Sequence, residues 1–196
     1  MKNLTKEKIE RFYIKDKKSV ADIAKIFKCS ETGINYWFEK YNIPKRTISE
    51  AIYVKCNPEG DPFKVFLPKN VEDAKLFGLG IGLYWGEGNK ANKNTVKLGN
   101  SDPALMRVFI EFLIKFFNVD KEDLRFHLHV FTDIDLDEAY KYWIEKLKIK
   151  KIQFYKPTVT ITGKLGTYRN KSKYGVLSVY YANTKLRNIL VNLLPM

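Results

Sequence analysis

The chain has 196 residues, 45% of them hydrophobic and 29% charged, which is the composition of a folded protein long enough for one ordinary domain and a small appendage. A formal charge of +13 favours a polyanionic partner. No apolar run nears the ~20 residues of a membrane span, and Cys29 and Cys56 match no zinc or redox spacing.

The opening residues, MKNLTKEKIERF, lack the apolar core of a secretion signal, so a cytoplasmic protein with ordinary thiols is expected. Thr5 is placed to cap a first helix that runs to about Lys15, with Ile9, Phe12 and Tyr13 at helical spacing. Ser19 caps a second, whose Val20, Ile23, Ala24 and Phe27 form an i, i+3, i+4, i+7 stripe ending near Lys28. Cys29-Ser30 makes a turn. A third helix, from Glu31 to about Tyr41, buries Ile34, Trp37 and Phe38 and presents Thr32, Asn35, Tyr36 and Lys40. Residues 1–46 therefore read as a small all-α domain.

The stretch SVADIAKIFKCSETGINYWFEKYNIPKR resembles helix-turn-helix modules, with Ala24 where that family places a small residue under the turn. Small three-helix units also serve as protein-interaction or structural domains. The resemblance implies DNA binding, with Thr32, Asn35 and Tyr36 at base edges, Asn being suited to adenine. Lys40 would lie on the same exposed face. Lys45 and Arg46, just past Pro44, would touch phosphate or enter the minor groove.

Residues 47–70 hold Pro58, Gly60, Pro62 and Pro68 without sustained periodicity, which predicts a linker, with a short strand at Lys64–Leu67. A second domain, 71–196, opens on a helix with Glu72 and Asp73 at its positive end. Gly78, Gly82 and Gly86 then recur every fourth residue, laying positions without side chains along one helix stripe. Each glycine costs roughly 1 kcal/mol against alanine inside a helix, so tight packing is expected to return the cost. Phe77, Leu79, Ile81, Leu83, Tyr84 and Trp85 are apolar nearly all round, which predicts burial on more than one side. Glu87 follows at the carbonyl end of the helix, a poor place for an anion unless a cation compensates.

Beyond Gly88, Asn89–Asn94 reads as a polar turn and Thr95–Gly99 as a strand. Ser101 or Asp102, with Pro103 behind it, opens a helix that runs through Phe116. Leu124–Phe131 alternates as a strand, Leu136–Lys148 is helical, Phe154–Thr162 and Val176–Tyr181 are strands, and Thr184–Leu194 closes the chain as a helix. The expected class is α+β: an antiparallel sheet with helices on one face, preceded by the small all-α domain.

The segment LGIGLYWGEG, Leu79–Gly88, resembles the motif of the LAGLIDADG homing endonucleases, with Ile81–Gly88 against its last eight letters. The resemblance implies that motif helices of two subunits cross through their small residues, and that the closing acid of each holds a divalent metal beside a scissile phosphate. Glu87 matches that acid, giving a catalytic and metal-binding role with Mg²⁺ or Mn²⁺. Glu stands where Asp is more usual, and both are oxygen ligands for a hard cation; Trp85 replaces the earlier acidic letter. Gly78, Gly82 and Gly86, with Leu79 and Leu83, would form the interface of a homodimer. The alternative is that the stripe packs inside one subunit.

Three other features bear on function. His127 and His129 alternate to one strand face, either a metal pair lacking a clear third ligand or, more in keeping with such spacing, a polar sheet face turned to DNA. Lys97 could stabilise a phosphate or simply be solvated. After Glu145 there is no acidic side chain to the end of the chain, and the basic loop GKLGTYRNKSKYG offers Lys164, Arg169, Lys171 and Lys173 to nucleic acid, ordering on it. No nucleotide-phosphate loop or nucleophilic Ser or Cys constellation is present. The expected protein is a homodimeric, Mg²⁺-dependent, site-specific DNA endonuclease. The alternative is a transcriptional regulator of the same fold without the cutting chemistry, and basic charge alone also admits RNA.

Overall fold

The structure is a computed structural model that describes residues 4–60, 63, 65–161 and 172–195. The chain divides into two compact units, Met1–Pro62 and Phe63–Met196.

In the first unit, α1 (Lys6–Glu10) continues as a wider π-helical turn over Arg11–Lys15, followed by α2 (Val20–Phe27), α3 (Glu31–Lys40) and α4 (Ile48–Cys56). Ser19 caps α2 and forms a reciprocal box with Asp22, and Ser30 caps α3 by accepting from the Gly33 N–H. Between them Lys28 takes the left-handed conformation and the Cys29 N–H returns to the Ala24 carbonyl, a tight helix ending that turns the chain at once into α3. Ile9, Tyr13, Ile23, Ala24, Ile34, Phe38 and Ile43 make the core. Cys29 and Cys56 are free thiols.

Helix α4 corrects the reading of residues 47–70 as a linker. Thr47 and Glu50 form a capping box that organises its first turn, yet none of its residues is buried, and Ile48 and Ile52 stand exposed. No strand occurs in the described residues from Val65 to Leu67; the Phe66 N–H makes a single hydrogen bond to the Phe116 carbonyl. Phe63 is buried in the core of the second unit, edge-on to Tyr181, which starts that unit ahead of residue 71.

The second unit is α+β. Its order is α5 (Val71–Glu87), β1 (Val96–Asn100), α6 (Pro103–Phe117), β2 (Arg125–Phe131), α7 (Leu136–Leu147), β3 (Thr158–Thr160), β4 (Val176–Tyr181) and α8 (Thr184–Asn192). Asp102, not Ser101, caps α6, accepting from the Ala104 N–H. The strands lie in the order β1-β4-β2-β3. β4 runs antiparallel to both neighbours, with Lys97 opposite Tyr180 and His127 opposite Ser178. β3 runs parallel to β2, with His129 opposite Thr158, so the sheet is mixed rather than antiparallel. The cause is α7: a helical crossover carries the chain back to the end where the previous strand began, and the next strand must then point the same way.

Inward residues of the strands, among them Leu98, Phe126, Leu128, Leu177 and Val179, meet Phe109, Phe112, Leu113 and Phe116 of α6 and Trp143 of α7 in one core. Burying side chains of this size stabilises by roughly 1.5–3 kcal/mol each. Trp143 satisfies its indole N–H on the Tyr174 carbonyl at 2.9 Å. At the start of α5, Asn70 accepts from the Asp73 N–H, while the Asp73 carboxylate takes a 2.5 Å ion pair from Lys115 of α6. That ammonium contact, with the Lys69 N–H, holds the Asp73 carboxyl below its ordinary pKa.

Candidate nucleic-acid interface

Helix α5 presents two unlike faces. Inward, Tyr84 is fully buried and stacks parallel to Phe109, while Gly80 lies so close to the Phe112 ring that a methyl group built there would overlap it. Outward, a methyl built on Gly78, Gly82 or Gly86 meets nothing within 4 Å. Leu79 and Trp85 beside that row are 48% and 52% exposed, whereas Leu83 packs partly against the core. The glycine row is therefore not used within the unit. Burial on more than one side, expected from the apolar helix, is found on one side only.

Glu87 ends the helix, exposed, and among the described residues its carboxylate meets no hydrogen-bond donor or cation. The cation that the helix end calls for is Lys90, whose ammonium donates to the Trp85 carbonyl at 2.6 Å. Gly88 turns the chain into an extended course tight against Tyr84, where a side chain would collide with both its carbonyl and its ring. A bridge from Gly88 to Leu98 and a hydrogen bond from the Asn89 N–H to the Lys97 carbonyl then lay the chain beyond Glu87 along β1. The turn that follows is strapped to α8. Arg187 donates to the Lys90 and Asn92 carbonyls, and the Thr184 hydroxyl bonds the Asn94 side chain. Arg187 carried no sequence signal, because its partners lie about a hundred residues away.

The sheet face away from the helices carries Lys97 of β1, Tyr180 of β4, and Arg125, His127 and His129 of β2. The Lys97 ammonium lies 5.0 Å above the Tyr180 ring. His127 and His129 are hydrogen-bonded through Nε2 to the hydroxyls of Thr158 and Thr160, at 3.0 and 2.8 Å. Burial first, then the positive charge of Lys97 and the neighbouring His129, lowers the His127 pKa. Among the described residues no group of three or more His, Cys, Asp or Glu side chains converges as a metal site; the two histidines share a polar face with Thr158 and Thr160. Arg125, which sequence reasoning passed over, extends the same alternation by one step.

In the first unit Thr32 and Tyr36 are exposed on α3 and Asn35 is half-buried. Lys40 lies over the Trp37 ring at 4.7 Å, and Lys45 makes a long, exposed contact of 3.9 Å with Glu39. Arg46 is occupied differently from a free arm. Its N–H donates to the Tyr13 hydroxyl, its guanidinium covers the Tyr13 ring at 4.1 Å, and its other donors reach the carbonyls of Tyr13, Lys17 and Lys18. It clasps the segment between α3 and α4 to the π-helical turn that follows α1. Lys164, Arg169 and Lys171 lie outside the described residues, and Lys173 is exposed with its ammonium near the Tyr174 ring.

No family model, curated protein or solved structure matches the chain. Among the described residues no helix is long and apolar enough to cross a membrane.

Proposed function

We propose that the protein is a DNA-binding, divalent-metal-dependent, site-specific endonuclease of the LAGLIDADG type that works as a homodimer, with helix-turn-helix contacts added by its first unit. The observation that carries the reading is the conjunction on α5: an outward row of three glycines with free space at every Cβ, closed by a carboxylate with no partner among the described residues. A glycine row that the unit's own packing does not use lets a second backbone approach closely, as small residues do where helices cross, and a two-fold axis through it brings together two copies of Glu87.

One chain supplies a single acid. Mg²⁺ is commonly held by one or two carboxylates together with substrate phosphate oxygens and water, so the donor set fits a metal site completed by the second copy and the DNA. Glu87 is the residue that would hold Mg²⁺ or Mn²⁺, and such a cation supplies charge stabilisation to the reacting phosphate and acidifies nearby water. Lys97, across the Asn89–Lys97 hydrogen bond from the motif, would add positive charge on the sheet side. The sheet face and the exposed Thr32 and Tyr36 would position the nucleic acid.

The second reading, a regulator that binds DNA without cutting, is favoured by the first unit, whose capped helix pair α2–α3 is complete without the second unit's chemistry. A plasmid library incubated with Mg²⁺ and with Mn²⁺, using the wild-type protein and Glu87→Gln, separates the two. Cutting at defined sites is expected from the wild type and at least a hundredfold less from the variant. Salt-sensitive binding with no cutting by either protein would overturn the nuclease in favour of the regulator.

A further inference from the structure

The four strands of the sheet, VKLGN, RFHLHVF, TVT and VLSVYY, contain no Asp or Glu. Their outward side is therefore cationic, from Lys97 and Arg125, and also aromatic. Tyr155 is held beside β2 by a 2.7 Å hydrogen bond from its N–H to the Phe126 carbonyl, and the residue is 48% exposed. It stands edge-to-face with Tyr180, with centroids 5.8 Å apart and planes at 79°. Tyr180 in turn stands edge-to-face with His127, at 6.5 Å and 86°. Farther along β2, His129 and Phe131 form a second aromatic pair at 5.4 Å.

Duplex DNA is read at base edges by side chains with free donors and acceptors, chiefly Arg, Asn and Gln. This face is poor in them. Arg125 is partly committed to the carbonyls of Glu122 and Leu124, and both histidines are paired with threonine hydroxyls. It is rich in aromatic rings beside Lys97 and Arg125, which suits unpaired bases stacking while the phosphates meet lysine and arginine.

We infer that the outward sheet face binds unpaired nucleotides, with Tyr155 as the stacking platform, Tyr180 as the ring that braces it and Lys97 as the phosphate contact. The inference rests on reading this face as a nucleic-acid surface but not on cleavage, so loss of the nuclease reading in the Glu87→Gln comparison leaves it standing. Loss of single-strand binding, conversely, leaves that comparison untouched.

The test uses the full chain and fluorescence anisotropy with short labelled oligo(dT), oligo(U) and a matched duplex. Tyr155→Leu should weaken single-strand binding about tenfold, the loss of one stacked base, and duplex binding far less, while Tyr155→Phe keeps wild-type affinity. An exposed ring is a safe site for folding, and circular dichroism of both variants checks it. Single strands carrying 5-iodouracil should photocrosslink to Tyr155 or Tyr180, mapped by mass spectrometry. A preference for oligo(dT) or for oligo(U) identifies the unpaired ligand as DNA or RNA, and either supports the assignment. Equal single-strand affinity of Tyr155→Leu and wild type, an equal loss of duplex and single-strand binding, or crosslinks confined to residues 4–60 would overturn it.

Discussion

The two faces of α5 use the same residue type for opposite ends. Gly80 is glycine because Phe112 occupies the space of its side chain; Gly78, Gly82 and Gly86 have that space free. A glycine in a helix is explained by the first arrangement within one chain, whereas the second leaves roughly 1 kcal/mol of helix propensity per residue unreturned by any contact in the unit. That imbalance is the physical ground for expecting something else against the outward row.

The sharpest way to break this comparison is to add one methyl group to each face. Gly80→Ala should destabilise the second unit by about 3 kcal/mol, because an aromatic ring in a packed core must shift. Gly82→Ala should stabilise an isolated chain by about 0.5–1 kcal/mol. Chemical denaturation of both variants measures the contrast, and similar losses would erase the distinction between the faces. Gly82→Leu probes the outward face for a partner. Its secondary structure should be intact, while the dimer dissociation constant rises at least tenfold in sedimentation equilibrium; a dimer of unchanged strength would remove the row from any interface.

The smallest expected effect concerns the sheet. Because burial and Lys97 lower its pKa, His127 is neutral at pH 7 and gains charge only as pH falls below about 6.5, the ordinary histidine value. A polyanion favours the charged form, so wild-type affinity for DNA should rise a few-fold between pH 7 and pH 5.5, more than that of His127→Gln. Titrations of both proteins at fixed ionic strength compare the slopes, and parallel slopes would place His127 away from phosphate.

Much of the fold was legible where its cause is local. Pro103 behind a capping acid marks the start of α6, the alternation of Phe126, Leu128 and Val130 marks β2, and Ser19 with Asp22 marks α2. Two local signals were present and overridden. Thr47 and Glu50 have the spacing of a capping box, but Pro58, Gly60, Pro62 and Pro68 and the lack of sustained periodicity over residues 47–70 argued for a linker. The helix between β2 and β3 is itself the signature of a parallel pair, whereas the element order as a whole was read as an antiparallel sheet with helices on one face.

At the candidate site, residue types were legible and their employment was not. Arg46 and Lys45 are adjacent basic residues, yet one is spent on Tyr13 and three backbone carbonyls and the other is exposed. By itself the sequence determined the two-part organisation, most helices and strands, the cationic character and the place of Glu87 at a helix end, because each follows from neighbours a few positions apart. Only the tertiary structure decided which glycines of α5 are packed and which are open, that Glu87 meets no partner among the described residues, and which rings stand outward on the sheet. Those outcomes depend on partners brought together by the fold, such as Phe112 beneath Gly80 and Tyr155 beside Tyr180, and no local spacing encodes them.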